Sequence, residues 1–531
     1  FFVFYYIFFV FFSVFGVVFF FFVGLCCMVF ALGALFVVLH IDMILAIFGG
    51  VFFGLFIGAT PGLSISLGMV LLLPLTFALN PVTAFCLLLG LYSSGFTGGS
   101  ISAILLNIPG TPSAAATAID GHAMAKNGRA GEAIGTAVTA SFFGGMFSLV
   151  CLVLIAPTIA KFALRFGAPE LCALVLLGLT LICSFGQKSI IKGLISGVIG
   201  LIFMTVGLDP MVGTPRFTFG QVQLQAGISF LPALIGLFAI PQVVNGIIAG
   251  VRVIPTYHGK VAGVLPKLSN LVKLVKSMLL GACIGTGVGA VPGAGGPIAV
   301  FLSYDYISRV SKNKGEFGKG TPEGVAAPES ANNGVAGGAM IPMLTLGIPG
   351  DPITAILLGA LMIQGLTPGP LLFENNGQFV YSVFWAFLVA NVLTLILTFA
   401  TIKLWVRIHQ VPSRILLPII TILCIVGSYS LRNTFFDTGV MLFFGVIGYL
   451  MNKFRFPVVP LLLAIILGPA LEEHLRMSLI ISQGSYAIFF THPISLTFLV
   501  IALFSFSLPL VGPLIRKKSA EEDQEIIKKS V

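Results

Sequence analysis

Two regions of this chain set small polar side chains beside proline-glycine pairs in otherwise apolar surroundings. Around the first pair of motifs stand Thr60 and Ser64, in GATPGLS, then Ser100, Asn107, Thr111 and Ser113, in GGSISAILLNIPGTPS. Around the second stand Glu329, Asn332 and Asn333, then Thr345, Gly350 and Asp351 in GGAMIPMLTLGIPGDP. Hydroxyls, amides and backbone N–H groups freed at a helix break suit an anion, whereas carboxylates and freed carbonyls suit a cation or a proton. Thr60, Ser64, Ser100, Asn107, Thr111, Ser113, Asn332, Asn333 and Gly350 are accordingly assigned to an anionic substrate. Glu329, Thr345 and Asp351 are assigned to a coupling ion, with Na+ near Asp351 as one reading. Asn107 and Asn332 are expected to supply orienting amides, one to each break.

Each assignment has a plainer reading beside it. A hydroxyl in an apolar helix can bond the preceding turn and do nothing more. Asp351 occupies the place of Thr111, so one Ile-Pro-Gly break presents a hydroxyl and its counterpart a carboxylate. A ligand carboxylate about 4 Å from an ionised Asp351 would be repelled by about 4 kcal/mol at an effective dielectric of about 20, so the first break is expected to hold substrate. Asp351 then holds a cation or a proton, or caps its own helix, which stabilises by about 1 kcal/mol. Asp120 and His122 read as helix-end residues near a cytoplasmic loop, and the plainer reading of Glu323 and Glu329 is as loop carboxylates beside the basic stretch SRVSKNKGEFGKG.

The elements that position these residues are written twice. GVFFGLFIGATPG places Gly50, Gly54, Gly58, Pro61 and Gly62 where GACIGTGVGAVPG places Gly281, Gly285, Gly289, Pro292 and Gly293. A Gly-Gly pair and an Ile-Pro-Gly-x-Pro run follow each copy. Glycines spaced by four let membrane helices approach closely, and Pro-Gly within an apolar run breaks a helix. Broken backbone survives in a membrane only where protein or a wet cavity covers it. The halves are therefore expected to be repeats, taken as inverted, with broken helices or re-entrant hairpins around a site near the midplane.

Composition defines the class. Of 531 residues, 57% are hydrophobic and 9% charged, and mean hydropathy is +1.09, so the chain is an integral membrane protein rather than a soluble domain. Apolar runs give roughly 12 to 14 full or partial crossings, and runs such as LCALVLLGLTLICSF, apolar on every face, specify an all-α polytopic membrane protein rather than a barrel. The formal charge of +10 comes from short basic breaks such as Lys126 with Arg129, Lys267 to Lys276, Arg309 to Lys319 and Arg516 to Lys518. These are the cytoplasmic loops of a protein embedded in a lipid bilayer, and no nucleic acid is implied. The cysteines have neither zinc nor disulfide spacing. His474 lacks a second histidine four residues away, Lys319 precedes Gly where a phosphate loop needs Ser or Thr, and no G-x-S-x-G motif occurs.

The stretches GATPGLS, GGSISAILLNIPGTPSAAATAIDGHAMAKNGRAGEAIG, AVPGAGG and GTPEGVAAPESANNGVAGGAMIPMLTLGIPGDPITAILLGALMIQGLTPGP resemble the large permease subunit of tripartite tricarboxylate transporters (TctA-like) over about residues 41–510. The resemblance implies a bacterial inner-membrane permease working with a small membrane subunit and a periplasmic solute-binding protein. Its substrate would be a carboxylate such as citrate, driven by a Na+ or H+ gradient, with no other cofactor. A binding-protein-independent symporter is the alternative within transport, and an ion channel or membrane-embedded enzyme would need polar rings or a catalytic cluster that the sequence does not display. Organisation is read as an apolar segment of unassigned role (1–40), lacking the basic region of a cleaved signal peptide, two transmembrane repeats (41–255 and 256–515), and a polar tail (516–531).

The basic segment Lys267 to Lys276 and the C-terminal tail are expected to face the cytoplasm. Single cysteines introduced there should resist a membrane-impermeant maleimide applied from outside intact cells, and labelling at either place would reverse the topology.

Overall fold

The computed structural model describes residues 33–184, 189–209, 211–249, 261, 263–266, 268–407 and 413–506. Most of the apolar N-terminal segment, Cys26, Cys27, Lys267, the boundary at residues 255 and 256, and the polar tail lie outside the described residues. The principal helices are α1 (Ile41–Ala59), α2 (Ile65–Leu72), α3 (Pro81–Leu106), α4 (Ala115–Lys126), α5 (Ala130–Ala163), α6 (Ala168–Ser184), α7 (Ile190–Met204) and α8 (Phe230–Ala249). They are followed by α9 (Leu268–Gly289), α10 (Gly295–Val310), α11 (Glu323–Leu346), α12 (Pro352–Ile363), α13 (Gly377–Ala400), α14 (Ser413–Ser430), α15 (Phe435–Lys453) and α16 (Val458–Ile481). Among the described residues, eight helices are long and apolar enough to cross a bilayer, and shorter apolar helices, including α2, α6, α7 and α12, supply partial crossings. The protein is all-α and polytopic.

Packing divides the chain into two compact units, Phe1–Leu164 with Phe238–Thr438, and Arg165–Leu237 with Gly439–Val531. In the first unit the glycine stripes do what their spacing suggests. A Cβ added to Gly50, Gly54 or Gly58 of α1 would fall 2.0, 2.6 or 2.2 Å from the carbonyl oxygens of Leu87, Leu91 and Gly95 on α3. At Gly281 and Gly285 of α9 it would fall 2.2 and 2.1 Å from those of Ala327 and Ala331 on α11. Contacts this short mean backbone against backbone, which no side chain larger than hydrogen allows. Pro61-Gly62 and Pro292-Gly293 then end these helices, and α2 and α10 start immediately beyond.

Helices α3 and α11 are the interior of this unit. The apolar window of α3 is 94% buried, and α11 is buried from Gly324 to Thr345 although its polar content keeps it out of the eight long spans. A helix wrapped by protein rather than lipid can carry Glu329, Asn332 and Asn333 without exposing them to hydrocarbon. Helix α5 reaches α11 by the same device, since a Cβ on Gly144 would lie 2.0 Å from the Ser330 carbonyl oxygen.

In the second unit, α6 and α7 pack with α16, and Gly200 of α7 abuts the Leu461 carbonyl. A two-stranded antiparallel hairpin, β1 (Gly207–Leu208) with β2 (Pro215–Arg216), projects beyond α7. Arg216 pairs with Glu472 at 2.7 Å, and Arg476 with Asp209 at 2.9 Å, tying the hairpin to the end of α16. The N–H groups of Met211 and Val212, and then Arg476, hold the Asp209 carboxyl below its ordinary range.

Gly285 and Gly287 separate close packing from helix propensity. Gly285→Val must push α9 away from α11 and should cost about 1–3 kcal/mol. Gly287→Val, where an added Cβ meets nothing within 4 Å, should cost far less. Thermal unfolding of the detergent-solubilised variants checks the contrast, and equal melting temperatures would refute it.

Candidate functional site

Glu329 lies on α11 with no accessible surface and takes hydroxyl donors from two other helices. Thr117 Oγ1 of α4 donates to Oε1 at 2.5 Å, and Ser141 Oγ of α5 donates to Oε2 at 3.0 Å. Gly144, one turn beyond Ser141, supplies the close α5–α11 approach that brings the serine into range. Ser100 of α3 stands beside the same carboxyl and spends its proton on the Thr97 carbonyl at 2.7 Å. Asn332, one turn along α11, also stands beside it, yet neither atom of its buried amide completes a hydrogen bond. An orphaned buried amide is costly, on the order of 1–3 kcal/mol, and asks for a partner.

The first Ile-Pro-Gly break lies next to that amide. Helix α3 ends on Asn107 in the left-handed conformation, φ 57°, and Gly110 then presses against Gly58, where a Cβ would lie 2.0 Å from the carbonyl oxygen. The Gly110 N–H donates to the Gly99 carbonyl at 3.3 Å. Thr111 Oγ1 and Ser113 Oγ, both buried, are 3.2 Å apart. Gly296 at the start of α10 leaves a cradle here. A Cβ on it would lie 3.0 Å from Ser113 Cβ, 3.5 Å from Ser113 Oγ and 3.7 Å from Asn332 Oδ1, so this glycine lets both side chains close in around its backbone.

The second break is finished differently. Gly347 closes α11 in the left-handed conformation, φ 71°, and Gly350 presses on the Gly289 carbonyl while its own carbonyl accepts from the Gly293 N–H at 3.0 Å. Asp351 caps α12 in a reciprocal box with Thr354, whose N–H donates to Oδ1 at 2.7 Å. Tyr92 of α3 donates its phenolic hydroxyl to Asp351 Oδ2 at 2.9 Å. The carboxylate at this break is thus supplied with donors from within the protein, as the helix-cap reading expects.

The structure brings Ser100, Thr111, Ser113, Glu329 and Asn332 into one neighbourhood. The other residues singled out from sequence serve local bonds. Thr60 donates to the Phe56 carbonyl at 2.7 Å and Thr345 to that of Ile341 at 2.7 Å. Asn333 donates back to the Glu329 carbonyl at 3.4 Å. Ser64 caps α2 by accepting from the Leu67 N–H at 3.1 Å, with Gln242 of α8 alongside at 3.4 Å. Asn107 is exposed and acts through its backbone conformation, which Asn tolerates better than most residues. Asp120 accepts from Gly320 N–H, Thr321 N–H and the Tyr304 hydroxyl, pinning the segment ahead of α11.

Tyr92, Thr117, Ser141 and Gly296 were not singled out by sequence. Each is one small or aromatic residue in an apolar helix, and only its position across from a buried carboxyl or amide marks it. Among the described residues, no three His, Cys, Asp or Glu side chains gather as a metal site. A cleft of about 790 Å³ near Arg129, Lys273 and Glu323 is lined by none of the clustered polar residues.

Residues 44–463 match the tripartite tricarboxylate transporter TctA family. An uncharacterized 52.8 kDa protein in the TAR-I ttuC' 3' region of Agrobacterium vitis is 38% identical over 478 residues, which are 89% of this chain and 93% of that protein. An uncharacterized protein in the TAR-II ttuC' 3' region of the same organism is 42% identical over 234 residues, 44% of this chain and 96% of that one. No solved structure matches the chain.

The Tyr92–Asp351 bond joins α3 to the cap of α12 inside the protein, so removing the donor leaves a buried carboxylate oxygen short. Tyr92→Phe should destabilise by about 1–3 kcal/mol, read as a lowered melting temperature. Thr345→Val, which deletes only a bond to the preceding turn, should cost less. The reverse order would show that the buried bond is not formed.

Proposed function

This chain belongs to the tripartite tricarboxylate transporter TctA family and is a membrane component of such a transporter, and we propose that it catalyses secondary-active uptake of a tricarboxylate such as citrate, or of a related organic acid. In this reading it is the large permease subunit in a bacterial inner membrane, its C-terminus cytoplasmic and its halves inverted repeats. A periplasmic solute-binding protein delivers the substrate and a small membrane subunit completes the assembly. A gradient of Na+ or H+ drives accumulation.

The observation that carries the reading is the juxtaposition of a buried, incompletely bonded cluster of neutral polar side chains with a buried carboxyl. Thr111, Ser113 and Asn332 offer neutral donors, which suit a carboxylate ligand, and Glu329 lies one turn of α11 from Asn332. If Glu329 were ionised, a substrate carboxylate about 6 Å away would be repelled by about 3 kcal/mol at an effective dielectric of about 20, close to a hundredfold in affinity. A proton or Na+ on Glu329 removes that repulsion. Substrate and ion therefore favour each other's binding, which is the thermodynamic requirement for symport. Thr117 and Ser141 keep the carboxyl oriented in either state, because a hydroxyl can donate to a carboxylate or accept from a carboxylic acid.

Uptake into proteoliposomes holding the assembled transporter tests this directly, using a carboxylate panel with and without the binding protein and with either ion gradient imposed. Wild type should accumulate at least one acid only under a gradient. Glu329→Gln, neutral in every state, should lose uphill accumulation by about tenfold or more while still exchanging labelled for unlabelled substrate. Uphill accumulation by Glu329→Gln equal to wild type would remove Glu329 from coupling, and accumulation without any gradient would remove the secondary-active mechanism.

A further inference from the structure

The two Ile-Pro-Gly turns are built alike up to their last polar group. Gly110 rests on the Gly58 carbonyl as Gly350 rests on that of Gly289. Tyr92 stands as many residues ahead of Gly110 as Asn332 stands ahead of Gly350, and Thr111 follows the one glycine as Asp351 follows the other. Each helix serves the other half's turn. Tyr92, on α3, bonds Asp351 at the second turn, and Asn332, on α11, shares the Gly296 cradle with Ser113 at the first.

At the second turn the arrangement is complete. A carboxylate occupies it, accepting from the Thr354 N–H, with the Thr354 hydroxyl at 2.8 Å, and from Tyr92. At the first turn the corresponding residue is Thr111, which brings no carboxylate, and the amide corresponding to the Tyr92 hydroxyl is fully buried with neither polar atom bonded. Gly296, which adds no side chain of its own, lies against both Ser113 and the Asn332 amide oxygen. What the first turn lacks is what the second turn carries within its own sequence.

We infer that Asp351 is a built-in counterpart of a ligand carboxylate, and that the first turn seats one carboxylate of the transported acid, held by the Asn332 amide and the Ser113 and Thr111 hydroxyls over Gly296. This rests on the transport of an organic acid proposed above. It adds that the second turn is the internal replica of that seat, and it accounts for the asymmetry: a second negative charge is excluded at the second turn because the protein already supplies it.

Binding of radiolabelled citrate, succinate and acetate to the purified full-length protein in nanodiscs, with melting temperature followed in parallel, tests the assignment. Thr111→Ala should weaken binding of the acid that wild type takes by about fivefold, the loss of one hydrogen bond. Thr111→Asp, which gives the first turn its own carboxylate, should weaken it by about a hundredfold or more without a lower melting temperature than the alanine variant. In the complementary experiment, Asp351→Ala vacates the second turn. Its melting temperature should fall below that of wild type and rise in millimolar acetate at constant ionic strength by more than wild type does in the same acetate, with no rise for the variant in chloride. Binding by Thr111→Asp equal to that of Thr111→Ala overturns the seat at the first turn. An Asp351→Ala protein indifferent to acetate overturns the correspondence between the turns. If wild type binds none of the three acids, the substrate reading falls, while the acetate response of Asp351→Ala still decides whether the second turn is a carboxylate seat.

Discussion

A helix broken inside a membrane leaves N–H and C=O groups that lipid cannot satisfy, and the first unit of this protein is organised around covering them. Glycine is the means. Because Gly58 and Gly289 carry no side chain, α1 and α9 lie directly against α3 and α11, and the turns at Gly110 and Gly350 fold back onto their exposed carbonyls. The freed groups then find backbone partners, Gly110 N–H with the Gly99 carbonyl and Gly293 N–H with the Gly350 carbonyl. A Cβ at Gly58, Gly289, Gly110 or Gly350 would fall 2.0 to 2.7 Å from a backbone oxygen, so the break and the glycine stripe are one device.

This covering decides where polar chemistry can occur. Helices α3 and α11 are sheathed by other helices, so their polar side chains face protein rather than hydrocarbon, and Glu329 can be held by Thr117 and Ser141 across two interfaces. The exposed sides of α1 and α9 carry charge only at Asp42, Lys273 and Lys276 and are otherwise largely apolar. Large apolar residues such as Leu45, Phe48, Val272 and Leu279 are exposed there, as expected of surfaces that meet acyl chains.

Sequence made the skeleton of this arrangement legible because glycine and proline act through backbone geometry, which spacing alone reports. Gly50, Gly54 and Gly58, their counterparts from Gly281, and both Ile-Pro-Gly turns could be placed at helix contacts and breaks without coordinates. The family resemblance seen in those motifs agrees with the match over residues 44–463. Side-chain roles were less legible, for a physical reason. A serine that bonds the turn below it and a serine that bonds a carboxylate across an interface differ only in what faces them. Thus Thr60 and Ser141 look equivalent in sequence, yet one serves its own helix and the other Glu329. Asn107 was noticed for its amide and proves to matter for its φ, while Tyr92 passed as one more aromatic residue in an apolar run. That α6 and α7 pack with α16, far along the chain, is likewise not written in any local motif.

Asymmetry between matching elements is where the protein departs from structural economy. Had both turns carried Asp, each would be stable, capped and closed; had both carried Thr, neither would hold a charge of its own. Instead the second is completed by Asp351, Thr354 and Tyr92, and the first is left with a buried amide that stands beside Glu329 without completing a hydrogen bond. An unsatisfied polar group in a folded interior is selected against unless it meets a partner during function. That amide lies one turn of α11 from Glu329, so under the proposed reading the occupant of the first turn and the ion on that carboxyl would sit within electrostatic reach of each other. In that reading, coupling by mutual charge compensation would need no long-range pathway, because the occupant of one position would directly set the electrostatic cost of filling the other.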